Sequence, residues 1–144
     1  MDLDGNRRLV RLQFELLNEG RAGEASSLWS EESLNHGRKT TPARLEEVYE
    51  SLHMLNEKHT IHEIIAEGEW VAIRTTCTGV HVAEPPIPVN GGIFKGVTPT
   101  GRKYENQHLH MFRVVNGKLV EHWASRDDLG VAVQIGLALR GSPG

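Results

Sequence analysis

Three histidines crowd the segment "ENQHLHMFRVVNGKLVEHW", Glu105 to Trp123, of a 144-residue chain: His108, His110 and His122. Imidazole changes charge near neutral pH, so it can take up and release protons in catalysis, and it is also a common metal ligand. A His-x-His pair on one strand with a third histidine on its neighbour is a workable facial triad for zinc or iron. The same rings could abstract a proton next to a carbonyl group. They could also be structural, hydrogen-bonded to one another or to the backbone. The direction in which they face decides among these readings.

Asn116-Gly117 separates the two apolar runs and is the strongest hairpin signal in the sequence. Strand alternation then puts Tyr104, Asn106, His108, His110 and Phe112 on one face, with Glu105, Gln107, Leu109, Met111 and Arg113 on the other. Beyond the turn, Val120, His122 and Ala124 lie opposite Glu121, Trp123 and Ser125. Pairing across the turn brings Val114 near Val120, Phe112 near His122 and His110 near Ala124. The three histidines are therefore expected on one side of a sheet.

Other chemistry-bearing residues are more isolated. Asp127 and Asp128 are the nearest downstream carboxylates; one is expected to cap a final helix, although a bulge could aim Asp127 at a cavity mouth. Glu121 falls on the opposite face, as a partner for a surface cation. Trp29 and Trp123 could stack on an aromatic ligand or pack in the core. His36 could line an entrance, whereas His53, His59, His62 and His81 have no clustered partner and read as surface or ordinary core groups. Cys77, the single cysteine, reads as an inert buried thiol and leaves no intramolecular disulfide or Cys-rich zinc site.

The elements that must position these groups follow from periodicity. Leu9, Val10, Leu12, Phe14, Leu16 and Leu17 form a helical stripe stopped by Gly20. A short helix is expected around Glu24 to Trp29, and the polar stretch Ser30 to Thr40 reads as loop. Thr41-Pro42 starts a further helix running to about Asn56. "HTIHEIIAEGEWVAIRTTCTGVHV" then reads as a hairpin turning at Glu67-Gly68-Glu69. The proline- and glycine-rich run from Ala83 to Val97 is the candidate lid. Strands from Arg102 to Val115 and from Lys118 to Ser125 precede a last helix, Asp128 to Leu139. Helices followed by antiparallel strands indicate an α+β fold, a curved sheet around helices with an interior cavity.

The length fits one domain, residues 1–144. A net charge of -3 and a pI near 6.2 exert no general pull toward nucleic acid or anionic membrane. No apolar run approaches the roughly 18 residues of a membrane span. With no leader-like run at the N-terminus, a reducing cytoplasmic setting is the default expectation.

"VRLQFELLNEGR", "GVTPTGRKYENQHLHMFRVVNGKLVEHW" and "DDLGVAVQIG" resemble the SnoaL-like polyketide cyclases, within the nuclear-transport-factor-like superfamily of α+β cones. The likeness covers nearly the whole chain and is most specific at Pro99 to Arg102, His110 to Trp123 and Gln134-Ile135-Gly136. It implies an enzyme of secondary metabolism that closes a ring in a polyketide-like small molecule by aldol condensation, without metal or cofactor, and that forms a homodimer or homotetramer through the outer sheet face. The resemblance carries over a substrate-orienting Asn35 and the second member of a Gln-x-His pair, here His108-x-His110. Where the family has its acid/base aspartate, this sequence has Ala124. The expected catalytic groups are accordingly His110, His122 and His108, with Asp127 as the nearest carboxylate. Asn35, Trp29, Tyr104, Asn106, Phe112 and Trp123 are the expected substrate contacts. Relatives of hydroxylase, epoxide-opening and isomerase type, and non-catalytic binding modules, leave the reaction open.

Overall fold

A computed structural model describes residues 2–137. Among these, four helices and six strands alternate as α1 (Leu3–Asn18), α2 (Ala22–Ser27), β1 (Trp29–Asn35), β2 (Arg38–Thr40), α3 (Pro42–His53), β3 (Lys58–Glu67), β4 (Trp70–Val80), β5 (Lys103–Val115), β6 (Lys118–Arg126) and α4 (Asp128–Gln134). The strands form one curved, unclosed sheet in the order β2-β1-β6-β5-β4-β3. All pairs are antiparallel except β1 with β6. The expected α+β cone is the fold observed.

Local chemistry sets the helix starts. Asp2 accepts from the Gly5 backbone N–H, Thr41 from that of Arg44 with Pro42 in the first turn, and Asp127 from that of Gly130. Each side chain satisfies one of the free donors at a helix N-terminus. Helix α1 lies against the concave face, where Val10 and Phe14 join Trp29, Leu45, Ile73 and Phe112 in the main core. A second apolar cluster of Leu55, Val89, Phe94, Tyr104, Val131 and Ile135 ties the loop before β5 to α4.

Burial alternates without exception along β5 from Lys103 to Phe112, so every second side chain enters the cone. Asn116 and Gly117 take positive φ of 50° and 73°, the conformation of a tight primed hairpin turn. Phe112 pairs with His122 and His110 with Ala124, as the alternation requires. Val114 pairs with Leu119 instead of Val120, because a bulge between Arg113 and Val114 absorbs one residue.

Three expectations change. Ser30 to Thr40 is not a loop but a hairpin, β1 and β2, turning at His36-Gly37 with φ of 51° and 77°. Thr40 is its single β-branched residue; ladder pairing with β6 overrides that weak propensity. The short helix ends at Ser27, and Trp29 opens β1. The last helix stops at Gln134, followed by Gly136 at a φ of 86°; of the expected extension to Leu139, residues 138 and 139 lie outside the described residues.

Candidate active site

The inner side chains of β5 and β6 converge with α1 and α3 on a cavity of about 310 Å³. Phe14, Leu17, Leu45 and Leu52 supply apolar lining, and Pro88 to Gly92 also line it. The loop from Ala83 to Val97 therefore borders the cavity. Val89 and Phe94 anchor it in the second apolar cluster.

One wall is a continuous line of imidazoles. Asn35 stands opposite His122 in the parallel pairing of β1 with β6, and its Oδ1 accepts a hydrogen bond from His122 Nδ1 at 2.8 Å. A neutral imidazole that donates at one nitrogen accepts at the other. His122 Nε2 thus accepts from His110 Nδ1 at 2.8 Å, and His110 Nε2 accepts from His108 Nδ1 at 3.1 Å. The line ends at His108 Nε2, a lone pair with no hydrogen-bond partner among the described residues. A buried acceptor without a partner costs about 1–3 kcal/mol, and His108 itself borders the cavity.

Burial keeps these rings neutral. It lowers His108 and His122 to about 3 and holds His110 well below the ordinary value of 6.5. Neighbouring imidazoles and Arg126 add to the effect, because a further positive charge beside any of them is repelled. His59 is lowered to about 4 by burial alone. Its ring lies edge-on to His108 at 5.1 Å between centroids, and its Nδ1 meets Thr75 Oγ1 at 2.9 Å.

Of the ten candidate residues, His108, His110, His122, Asn35 and Phe112 line the cavity. The other five do not. Trp29 is buried in the core and donates its Nε1–H to Tyr49 Oη. Tyr104 belongs to the second cluster and donates to Glu57. Asn106 turns toward the Asp127 carbonyl. Trp123 lies on the outer face, as its own alternation demands, and donates to Glu121. Asp127 caps α4 with its carboxylate on Gly130 N at 2.9 Å, so the bulge that would have aimed it inward is absent.

Sequence reasoning missed Glu57, His59, Asn90 and Arg126, all of which line the cavity. Glu57 is buried at 6% exposure, and its Oε2 accepts from both Tyr104 Oη (2.6 Å) and Asn90 Nδ2 (3.0 Å). Burial raises its carboxyl above the ordinary value, with the two hydrogen bonds holding it partway back. His59 pairs directly with Cys77 on β4, whose inward face was legible; extending that pairing across the hairpin would have found it. A bulge between Ile61 and Glu63 hid the pattern. Cys77 is buried with its thiol pushed up, in keeping with an inert thiol.

Two donor sets here have metal-ligand spacing. Among the described residues, His59, His108 and His110 offer ring nitrogens within 4.8 Å of one another, and Glu57, His59 and Cys77 offer a carboxylate oxygen, a ring nitrogen and a sulfur at the same spacing. The triad that could hold a metal ion thus recruits His59 in place of His122.

Known proteins of similar sequence are polyketide cyclases. Aklanonic acid methyl ester cyclase DauD of Streptomyces sp. (strain C5) is 28% identical over 137 residues, spanning 89% of this chain and 80% of that protein. Nogalonic acid methyl ester cyclase of Streptomyces nogalater is 27% identical over 107 residues, 72% and 73% of the two chains. Among solved structures, TsrD from Streptomyces laurentii superposes with a TM-score of 0.78 at 18% identity, covering 96% of this chain and 99% of that one. Wild-type IdmH from Streptomyces antibioticus gives 0.70 at 25% identity, covering 91% and 98%. The sequence model of the SnoaL-like polyketide cyclases matches residues 7–135, and the chain belongs to that family.

Proposed function

We propose that this protein is a cyclase that closes a ring in a polyketide-derived ester by acid/base catalysis, with His108 Nε2 as the base. The observation that carries the reading is the hydrogen-bonded line Asn35–His122–His110–His108 ending in a lone pair without a partner. Removal of a proton alpha to a carbonyl needs a base with a free lone pair positioned within reach of it. The proton taken at Nε2 is accommodated by the rings behind it, whose charge Asn35 Oδ1 steadies at the far end. A base with so low a resting affinity becomes competent because the developing enolate is itself the counter-charge that stabilises the imidazolium. Ala124, opposite His110, offers no carboxylate, so the imidazoles take the place of one. The apolar cavity suits a largely apolar substrate, and relatives named for methyl esters of aklanonic and nogalonic acid point to that substrate class.

The test is ring closure of aklanonic acid methyl ester and nogalonic acid methyl ester by the purified protein. Replacing His108 or His110 with alanine is expected to lower kcat by about 10²–10⁴-fold, the usual worth of a positioned acid or base. A folded His110→Ala protein that turns over at the parent rate would rule out the relay.

The spacing of His59, His108 and His110 favours a second reading, metal-assisted polarisation of the carbonyl. Elemental analysis of protein purified without a histidine tag separates the two. The relay predicts less than about a tenth of an equivalent of zinc or iron, whereas a tight three-histidine site retains close to one.

A further inference from the structure

A ring closure of this kind needs two proton movements, and the histidine line provides for one. The base removes a proton from carbon; the carbonyl oxygen that becomes an alkoxide must receive one. Glu57 is the carboxyl placed for the second movement. It stands just before β3, beside the loop residue Asn90, buried but lining the space. Two donors, Tyr104 Oη on β5 and Asn90 Nδ2 in the loop, converge on its Oε2. With Oε2 committed to them, Oε1 is the oxygen left to carry a proton. Among the described residues no lysine or arginine forms an ion pair with the carboxyl, and Arg126, whose charge reaches it, is engaged by Asp128 at 3.2 Å. His59 lies between the two centres, within 4.8 Å of Glu57 on one side and edge-on to His108 on the other.

We infer that Glu57 is the general acid of this site, donating from Oε1 to the carbonyl oxygen that the enolate attacks, and this rests on the cyclase reading above. The step balances without a co-reactant. The C–H bond alpha to one carbonyl breaks, and its proton goes to His108 Nε2. The carbon–carbon bond forms as the acceptor carbonyl opens, and its oxygen takes the Glu57 proton. The substrate is isomerised. The enzyme is left with a protonated histidine and a carboxylate, and one proton passing from His108 to Glu57, past His59, restores it. The separation of the two centres also specifies the substrate: it presents an acidic C–H at the β5–β6 wall and an electrophilic ketone or aldehyde at the loop end.

The experiment uses aklanonic acid methyl ester in D₂O and follows two quantities, ring closure and incorporation of deuterium at the alpha carbon. Glu57→Gln keeps the shape and an acceptor for Tyr104 but cannot give up a proton. It is expected to slow closure about 100-fold or more while leaving exchange within about threefold of the parent. Tyr104→Phe removes a donor that stabilises the carboxylate product of the transfer. It is expected to slow closure about tenfold with exchange unchanged, the loss of roughly one hydrogen bond to a charged group. It decides the matter should Glu57→Gln not fold. Closure at the parent rate in folded Glu57→Gln, or equal losses of closure and exchange in both variants, overturns the inference and leaves the histidine base standing. Absence of exchange in the parent enzyme overturns the base, and the acid with it.

Discussion

At the scale of residues, the site is a set of imidazoles held in their neutral form by burial, beside a buried carboxyl whose hold on its proton burial strengthens. That condition has a thermodynamic signature. Folded His108 and His122 sit near 3 and His59 near 4, whereas the unfolded chain protonates its histidines near 6.5. Between those values the unfolded state binds more protons, so stability rises with pH and falls on acidification. Melting temperature is expected to be flat above about pH 7 and to drop between about pH 6.5 and 4, each such histidine contributing at most about 1.4 kcal/mol per pH unit. Replacing His59 with asparagine should flatten that slope in a pH series of thermal melts; an unchanged slope would mean that His59 is solvated and charged. Glu57 has the opposite sense: its raised carboxyl favours the folded state at low pH and opposes it as pH climbs past its folded-state value.

At the scale of elements, close packing between neighbouring strands positions the acid. A Cβ on Gly79 would come within 2.3 Å of the Tyr104 ring, so only glycine lets that ring lie across β4 and reach Glu57. Gly79→Ala is expected to cost about 1–3 kcal/mol of stability through overpacking, and to slow ring closure with it. A melt and an assay on the same preparation check both. The loop is held in the same way. Phe94, at 1% exposure, packs on His81 and Tyr104. Phe94→Ala should cost about 3–5 kcal/mol and open the segment around Asn90 to limited proteolysis. Period-two alternation and the Asn-Gly turn were enough to read β5 and β6, and through them the face shared by the three histidines. They were not enough where the period slips. The bulge after Ile61 disguised which face of β3 carries His59, and Glu57 precedes the strand altogether. Polar β1 read as loop because its pairing with β6 is a long-range effect that no local pattern announces.

At the scale of the whole molecule, a cone with a polar wall and apolar remainder brings together groups drawn from β1, β3, β5, β6 and one loop. No single stretch of sequence contains the site, which is why the line of imidazoles was legible and the carboxyl across from it was not. The outer surface is distinct. Leu109 and Met111 on β5 and Trp123 on β6 are exposed, and Met111 pairs directly with Trp123. This strip is proposed to pair with a second copy of the chain. Met111→Glu should then halve the mass in light scattering while leaving the monomer folded, because each protomer would bring a buried charge to the interface. The role of His108, however, belongs to the cavity. It is tested most directly by the exchange of the substrate's alpha proton for deuterium, measured by NMR in D₂O with the parent protein and with His108→Ala. Exchange by the parent and a loss of about 10²–10⁴-fold in the variant are expected. Exchange at the parent rate in folded His108→Ala would contradict it.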